Sequence, residues 1–221
     1  MVSACIFDLD GVIVDTAKYH YLAWKRLAQE LGMDFSEVQN ERLKGVSRMK
    51  SLNILLEEAG IATLSEVEKT ALAEKKNRWY VEYISQLTPD AILHGVLDFI
   101  YELKQHHFKI ALGSASKNAK MVLNKLQIAH LFDAVIDGAE VMYAKPDPEI
   151  FLLAARAMHV TPPDCVVFED AEVGIEAAEQ AGMVSVGVGN PGILKNAAFV
   201  ISGFGVSEAL DRVKIFLYKN R

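Results

Sequence analysis

Asp8 and Asp10 stand directly behind the short apolar segment Ala4-Cys5-Ile6-Phe7, and Gly11-Val12 follows them. A buried strand ending in two acids gathers negative charge at a sheet edge. Burial there is costly unless a cation, a proton or ordered donors compensate. A bound metal and a reaction would do so. A plain turn is the competing reading, since Asp and Gly are ordinary strand-ending residues. Other polar groups weigh on the choice. Ser114-Ala115-Ser116 follows the apolar segment at 109–113, and Glu169-Asp170 follows the one at 165–168. Ala144-Lys145-Pro146-Asp147-Pro148 sets a lysine in a stiff loop, with Asp147 predicted as helix N-cap and Pro148 at the first helical position. Taken singly, the serines read as N-caps, Lys145 as a solvated lysine and Glu169-Asp170 as the start of a helix. Their joint placement at the ends of separate strands points instead to a catalytic site. Hard oxygen ligands in this number suit Mg²⁺, which keeps waters and binds substrate phosphate. Ser114 and the backbone amides before the next helix could cradle that phosphate.

The elements that must position these groups follow from periodicity. After the first strand, Trp24, Leu27, Ala28 and Leu31 fall at helical spacing before Gly32. Leu52, Leu55, Leu56 and Ala59 repeat the pattern before Gly60, and 66–84 is rich in helix formers. Residues 16–87 therefore read as helical. From Ala91 the texture alternates: helices at 96–106, 118–126, 148–158 and 173–181 interleave with strands at 109–113, 134–136, 165–168 and 184–188. That is the rhythm of a parallel sheet with helices on both faces. The expected fold class is α/β, a Rossmann-like parallel-sheet core of residues 1–15 and 88–221 interrupted by a helical cap domain of residues 16–87. Such sheets bind ligands at the carboxyl ends of their strands.

Composition bounds the function. A chain of 221 residues with 51% hydrophobic content has ample core for one large domain or one domain with an insertion. Its net charge of −6 argues against nucleic acid as the main partner. The apolar runs are too short to span a bilayer and no signal peptide is indicated, so a soluble, cytoplasmic protein is expected. Cys5 and Cys165 sit in predicted strands and read as reduced core residues.

The Asp8-Leu9-Asp10-Gly11-Val12 stretch, Ser114, Lys145 with Pro146 and Asp147, and Glu169-Asp170 followed by Gly174 resemble the four ordered motifs of the haloacid dehalogenase (HAD) superfamily, over nearly the whole chain. The resemblance implies that Asp8 is the nucleophile that takes up a phosphoryl group and Asp10 the general acid and base. It implies that Ser114 and Lys145 hold the phosphoryl oxygens, and that Asp8, Asp10, Glu169 and Asp170 bind Mg²⁺. The chemistry is coherent, because a carboxylate attacks phosphorus only after the repulsion between anions is neutralised. An acid at position 10 disfavours dehalogenation.

The helical segment is similar to that of the superfamily's β-phosphoglucomutase members. The matching residues there are Thr16, His20 and Trp24; Leu43-Lys44-Gly45-Val46-Ser47-Arg48 with Ser51; and Lys76-Asn77; in the core, the loop Ser114-Ala115-Ser116-Lys117-Asn118 matches the same members. The resemblance implies interconversion of β-D-glucose 1-phosphate and β-D-glucose 6-phosphate through β-D-glucose 1,6-bisphosphate, with a sugar-phosphate phosphatase as the alternative. It implies catalytic roles for Thr16 and His20, the latter positioning Asp10, and substrate contacts for Trp24, Lys44, Gly45, Val46, Ser47, Arg48, Ser51, Lys76, Asn77, Ala115, Ser116, Lys117 and Asn118. A mutase needs a second phosphate site, and the forked guanidinium of Arg48 behind a Gly-containing turn suits it. Alone, His20 reads as a partly buried residue at a helix start, Lys76 as solvated and Trp24 as core. The expected partner is a small-molecule sugar phosphate, bound by a monomer. Gly187-Val188-Gly189-Asn190-Pro191-Gly192 matches GxGxxG, but Pro191 and a weak helical pattern behind it argue against a dinucleotide site. No GxxxxGK[ST] is present.

Overall fold

The computed structural model describes residues 1–61, 63–205 and 207–220. Its core is a parallel sheet of six strands: β1 (Ala4–Phe7), β2 (Lys109–Gly113), β3 (Ala134–Ile136), β4 (Cys165–Glu169), β5 (Val184–Val188) and β6 (Phe199–Ile201). Their spatial order is β3-β2-β1-β4-β5-β6. The first strand in the chain is thus central, with its last residue Phe7 level with Leu112 of β2 and Phe168 of β4. This register brings the residue after each of the three strands to one edge. β1 is buried along its whole length, as a strand covered on both faces must be.

Between β1 and β2 the chain forms α1 (Ala17–Glu30), α2 (Glu37–Glu41), α3 (Arg48–Glu58) and α4 (Glu66–Ile84), and no strand appears there among the described residues. Ala62, inside the span expected to be helical, lies outside them. The predicted apolar stripes are the buried ones: Trp24, Leu27 and Ala28 on α1, and Leu52, Leu55 and Leu56 on α3. Gly32 and Gly60 follow these helices with φ of +80° and +68°, the left-handed turn that a glycine adopts without steric cost. Ser65 caps α4 in a reciprocal pair with Glu68.

The remaining helices are α5 (Val96–Gln105), α6 (Ala119–Lys125), α7 (Glu149–Ala157), α8 (Glu172–Gln180) and α9 (Glu208–Lys219). Each of α5 to α8 falls within a residue or two of its expected span. Two apolar clusters, one on each side of the sheet, form the core; Phe7 stacks on Phe168 at 4.7 Å in the larger, while Ile6 and Phe151 lie in the smaller. The start of α7 differs from expectation by one residue. Pro148 takes the cap position, while Asp147 Oδ1 still accepts the Glu149 amide at 2.9 Å. The cysteines are free and buried. β5 leads from Gly187 into a turn and not into a helix, which removes the helix N-terminus that a dinucleotide motif requires. No helix is long and apolar enough to cross a membrane among the described residues.

Candidate active site

Asp8 is the first residue beyond β1, and only 5% of its surface is exposed. Its backbone amide donates to Phe168 O at 2.9 Å, fixing it to β4. One carboxylate oxygen accepts the Asp10 amide at 3.0 Å, and the other accepts Lys145 Nζ at 2.6 Å. Lys145, wholly buried, also donates to Glu169 Oε2 at 2.7 Å and to Gly113 O at 3.1 Å. All three donors of the ammonium are therefore used. Burial alone would depress the Lys145 pKa, but the flanking Asp8 and Glu169 carboxylates outweigh it and hold the lysine charged. The solvated lysine that position 145 suggests in isolation is replaced by a cation locked between two acids 137 and 24 residues away in sequence.

Oxygens of Asp8, Glu169 and Asp170 lie within 4.8 Å of one another. Burial pushes Glu169 up to about 7, Lys145 opposing and Asp8 assisting. Burial, then Glu169 and Asp8, raises Asp170 well above the ordinary carboxylate range. Three crowded acids facing one ammonium are short of positive charge, and their hard oxygens suit Mg²⁺. Glycines make the room: a Cβ on Gly11 would meet Asp170 Oδ2 at 2.2 Å, and one on Gly174 would meet Glu169 Cδ at 2.0 Å. Asp10, expected as a fourth ligand, does not bring its carboxylate to this group. Its side chain points toward α1, with Oδ2 4.0 Å from His20 Nε2. Burial and the nearby Asp8 carboxylate push Asp10 up to about 8, so at neutral pH it holds a proton.

One cavity joins this sheet edge to the helices between β1 and β2. Asp8, Asp10, Asp170 and Ser114 line its sheet side with Ala115, Ser116, Lys117 and Asn118. His20, Trp24, Lys76 and the run Lys44, Gly45, Val46, Ser47 and Arg48, with Ser51, line the helical side. The cavity is therefore acidic at one end and cationic around Lys44, Arg48 and Lys117, while burial and then Arg48 lower the Lys76 pKa well below its usual value. Ser47 caps α3 by accepting the Lys50 amide at 3.3 Å, which makes Arg48 the opening residue of that helix. Ser51 sits one turn later on the same face. Gly45, at φ +69°, touches the start of α8 so closely that a Cβ would lie 2.8 Å from Val173 Cγ2.

His20 and Lys76 meet across 56 residues, with Lys76 Nζ 2.8 Å from His20 Nδ1. Burial, Lys76 and Arg48 lower the His20 pKa well below its usual value, so the ring is neutral. Lys76 is only 2% exposed and its Nζ lies over the rings of Trp24 at 4.5 Å and Tyr80 at 5.0 Å. In the phosphate-cradle loop, Ser114 Oγ accepts the Ser116 amide at 3.2 Å and Ser116 Oγ the Asn118 amide at 3.3 Å. Two of the amides expected to hold phosphate are thus engaged within the loop itself. Asn118 Nδ2 donates to Asn77 Oδ1 at 2.9 Å, clasping α4 to that loop.

Thr16, Asn77, Lys145 and Glu169 stand behind the cavity wall instead of lining it. Sequence reading missed Asn40 and Gly138, which do line it, and Tyr80, whose ring lies 3.9 Å from His20 between centroids. For Tyr80 a signal existed: it follows Lys76 by four residues on one helical face. A Cβ on Gly138 would meet Ala115 O at 2.1 Å, so its role is close backbone approach, which spacing does not reveal.

Comparison with known proteins agrees with this geometry. The chain is 45% identical over 201 residues to the β-phosphoglucomutase of Bacillus subtilis, covering 90% of this chain and 89% of that one. It is 34% identical over 184 residues to a phosphorylated-carbohydrates phosphatase of Thermotoga maritima, covering 82% of each. The crystal structure of β-phosphoglucomutase from Clostridium difficile superposes with a TM-score of 0.92 at 44% identity over the whole of both chains. Residues 2–182 match the haloacid dehalogenase-like hydrolase family. With the buried Asp8–Lys145–Glu169 cluster at the carboxyl ends of its strands, the chain belongs to that family.

Proposed function

We propose that this chain is a Mg²⁺-dependent β-phosphoglucomutase that interconverts β-D-glucose 1-phosphate and β-D-glucose 6-phosphate. The observation that carries the reading is one cavity with a nucleophile-bearing end at Asp8 and a cationic end at Arg48. A hydrolase of phosphate monoesters requires the first end alone; a mutase requires both, one for the group that moves and one for the group that stays. The likeness to β-phosphoglucomutases over nine-tenths or more of the chain supports the same reading.

In this reading an Asp8 oxygen attacks phosphorus, the bond to the sugar oxygen breaks, and the proton of Asp10 goes to that oxygen. An aspartyl phosphate forms on Asp8. In return, Asp10 takes the proton from the incoming sugar hydroxyl as that oxygen attacks the phosphoryl group, so the acid is regenerated. β-D-Glucose 1,6-bisphosphate is the intermediate; rebound in the opposite sense, it presents either phosphate to Asp8 while Arg48 holds the other. Lys145 and Ser114 stabilise the transferring oxygens. Neutral His20 orients Asp10. Asp8, Glu169 and Asp170 would hold Mg²⁺, which supplies charge neutralisation to the phosphoryl group when bound. Asp10 stays near the metal acids without its carboxylate among them.

Residues 16–87 serve as the cap and residues 1–15 and 88–221 as the core, acting together in a cytoplasmic monomer whose partner is a sugar phosphate and not nucleic acid. The net charge of −6 supports the last point. The test supplies β-D-glucose 1-phosphate, a trace of the bisphosphate and Mg²⁺, and follows glucose 6-phosphate and free phosphate separately. Isomerisation is expected, with Asp8→Asn inactive. Phosphate release without isomerisation would establish the phosphatase alternative instead.

A further inference from the structure

Among the described residues, three buried side-chain oxygens have no hydrogen-bond partner: Asp10 Oδ1, Thr16 Oγ1 and the Tyr80 hydroxyl. Buried polar atoms are nearly always satisfied, and each one left over costs about 1–3 kcal/mol. These three belong together. The hydroxyls of Thr16 and Ser116 lower the Tyr80 pKa and an ionised Asp10 raises it, which gathers these groups around one phenol. Tyr80 is fully buried and comes from α4, Thr16 immediately precedes α1, and Asp10 follows β1. Thr16 spends no side-chain bond on capping its helix. The Tyr80 ring is fixed against His20, the residue whose Nε2 looks toward the other Asp10 oxygen. A phenol both donates and accepts, so this one hydroxyl can complete the Thr16 hydroxyl and the Asp10 carboxyl together.

We propose that Tyr80 is a positioning residue: its hydroxyl acts in concert with that of Thr16 to orient the Asp10 carboxyl, leaving Asp10 Oδ2 free for the sugar oxygen. The partners close when substrate draws α4 and the Ser114–Asn118 loop together, since α4 is already tied to that loop through Asn77 and Asn118. The bond to the Asp10 carboxyl, unmade in the ligand-free arrangement, thereby forms only during turnover, where it accelerates the reaction. The inference rests on the reading of Asp10 as proton donor and acceptor.

Tyr80→Phe removes one oxygen and keeps the ring. For the isomerisation, kcat per folded molecule is expected to fall about tenfold, the rate equivalent of one hydrogen bond. KM should stay within about twofold, because binding contacts are untouched. The thermal midpoint should hold or rise, since an unpartnered buried hydroxyl has gone. Thr16→Val combined with Tyr80→Phe should cost no more than the worse single variant, as both act on one carboxyl. Unchanged kcat in Tyr80→Phe, a matched loss of kcat and rise of KM with a lowered midpoint, or losses that multiply would each overturn the proposal. Asp10→Asn, measured alongside, separates the two ideas. If it is inactive while Tyr80→Phe is normal, only the positioning role falls; if it is active, the role of Asp10 falls and the proposal with it.

Discussion

Replacing Lys145 with methionine tests the electrostatic centre of the site, because the change keeps the length of the chain and removes its charge. Lys145 makes three hydrogen bonds in a fully buried position, two of them to carboxylates at 2.6 and 2.7 Å. Breaking a buried charge pair by deleting one partner costs about 3–5 kcal/mol, since the surviving charge is neither solvated nor paired. Here two acids survive, so the loss belongs at the upper part of that range for metal-free protein. The pH dependence has a definite sign. Glu169 already sits at about 7 against an ordinary 4.5, so the folded state binds more protons than the unfolded one between those values, and its contribution to stability falls as pH rises. Without Lys145 the folded pKa moves higher still, and the decline continues beyond pH 7. Lys145 itself, held above its usual value, contributes steadily below the unfolded lysine pKa. Urea unfolding in a chelator should therefore show a larger deficit for Lys145→Met at pH 8.5 than at pH 6. Mg²⁺ should stabilise the variant more than the parent, as it replaces the missing cation. Isomerisation should drop by about 10²–10³ or more, the cost of one lost transition-state donor. A deficit below about 1 kcal/mol at pH 8.5, or one that shrinks with rising pH, would refute the assignment of Lys145 as the cation that makes the acid cluster tolerable.

Other expectations are independent of that one. Arg48→Ala should reduce isomerisation by about 10–100-fold, the value of one or two charge-assisted hydrogen bonds, while barely altering hydrolysis of a small acyl phosphate; equal losses in the two assays would contradict a distal phosphate role. Gly45→Ala places a methyl 2.8 Å from Val173 at φ +69°, so the loop before α3 must shift away from α8. A raised KM for sugar phosphate and a stability loss of about 1 kcal/mol are expected, and an unchanged KM would show that this contact does not shape the cavity. Far from the site, Glu102 accepts bonds from Lys214 and Tyr218 at 2.6 Å each; burial alone would raise its pKa, but these bonds hold it below the usual value. Its contribution is present above the unfolded carboxylate pKa and lost as pH falls through the folded one. Glu102→Gln should therefore flatten the acid side of the stability profile, as followed by thermal unfolding between about pH 3 and 6.

The single sequence determined the strand-ending chemistry and the alternation that produces a parallel sheet, because both depend on local order: apolar runs of strand length, acids and hydroxyls directly behind them, glycines where helices stop. β1 to β5 and the helices on either side of them were legible for that reason. β6 was not, because it follows β5 with no helix between them and so falls outside the alternation; α9 could have been found from Leu210, Val213 and Leu217, which are its buried residues. Arg48, Lys44 and Lys117 were recognisable as cations, but nothing local said that they would share a cavity with Asp8. The tertiary structure alone decided that, by placing β1 between β2 and β4 so that Asp8 and Glu169 come abreast, with Ser114 one residue beyond them on the β2 side. It also decided which carboxylates converge. Asp10 lies two residues from Asp8, yet its side chain turns to His20, while Glu169 and Asp170 join Asp8 from more than 150 positions away. Tyr80 and the buried state of Lys145 belong to the same class of fact. A side chain's partners, and hence its charge state, are set by what folding packs against it, and residue type fixes only what it is able to bond.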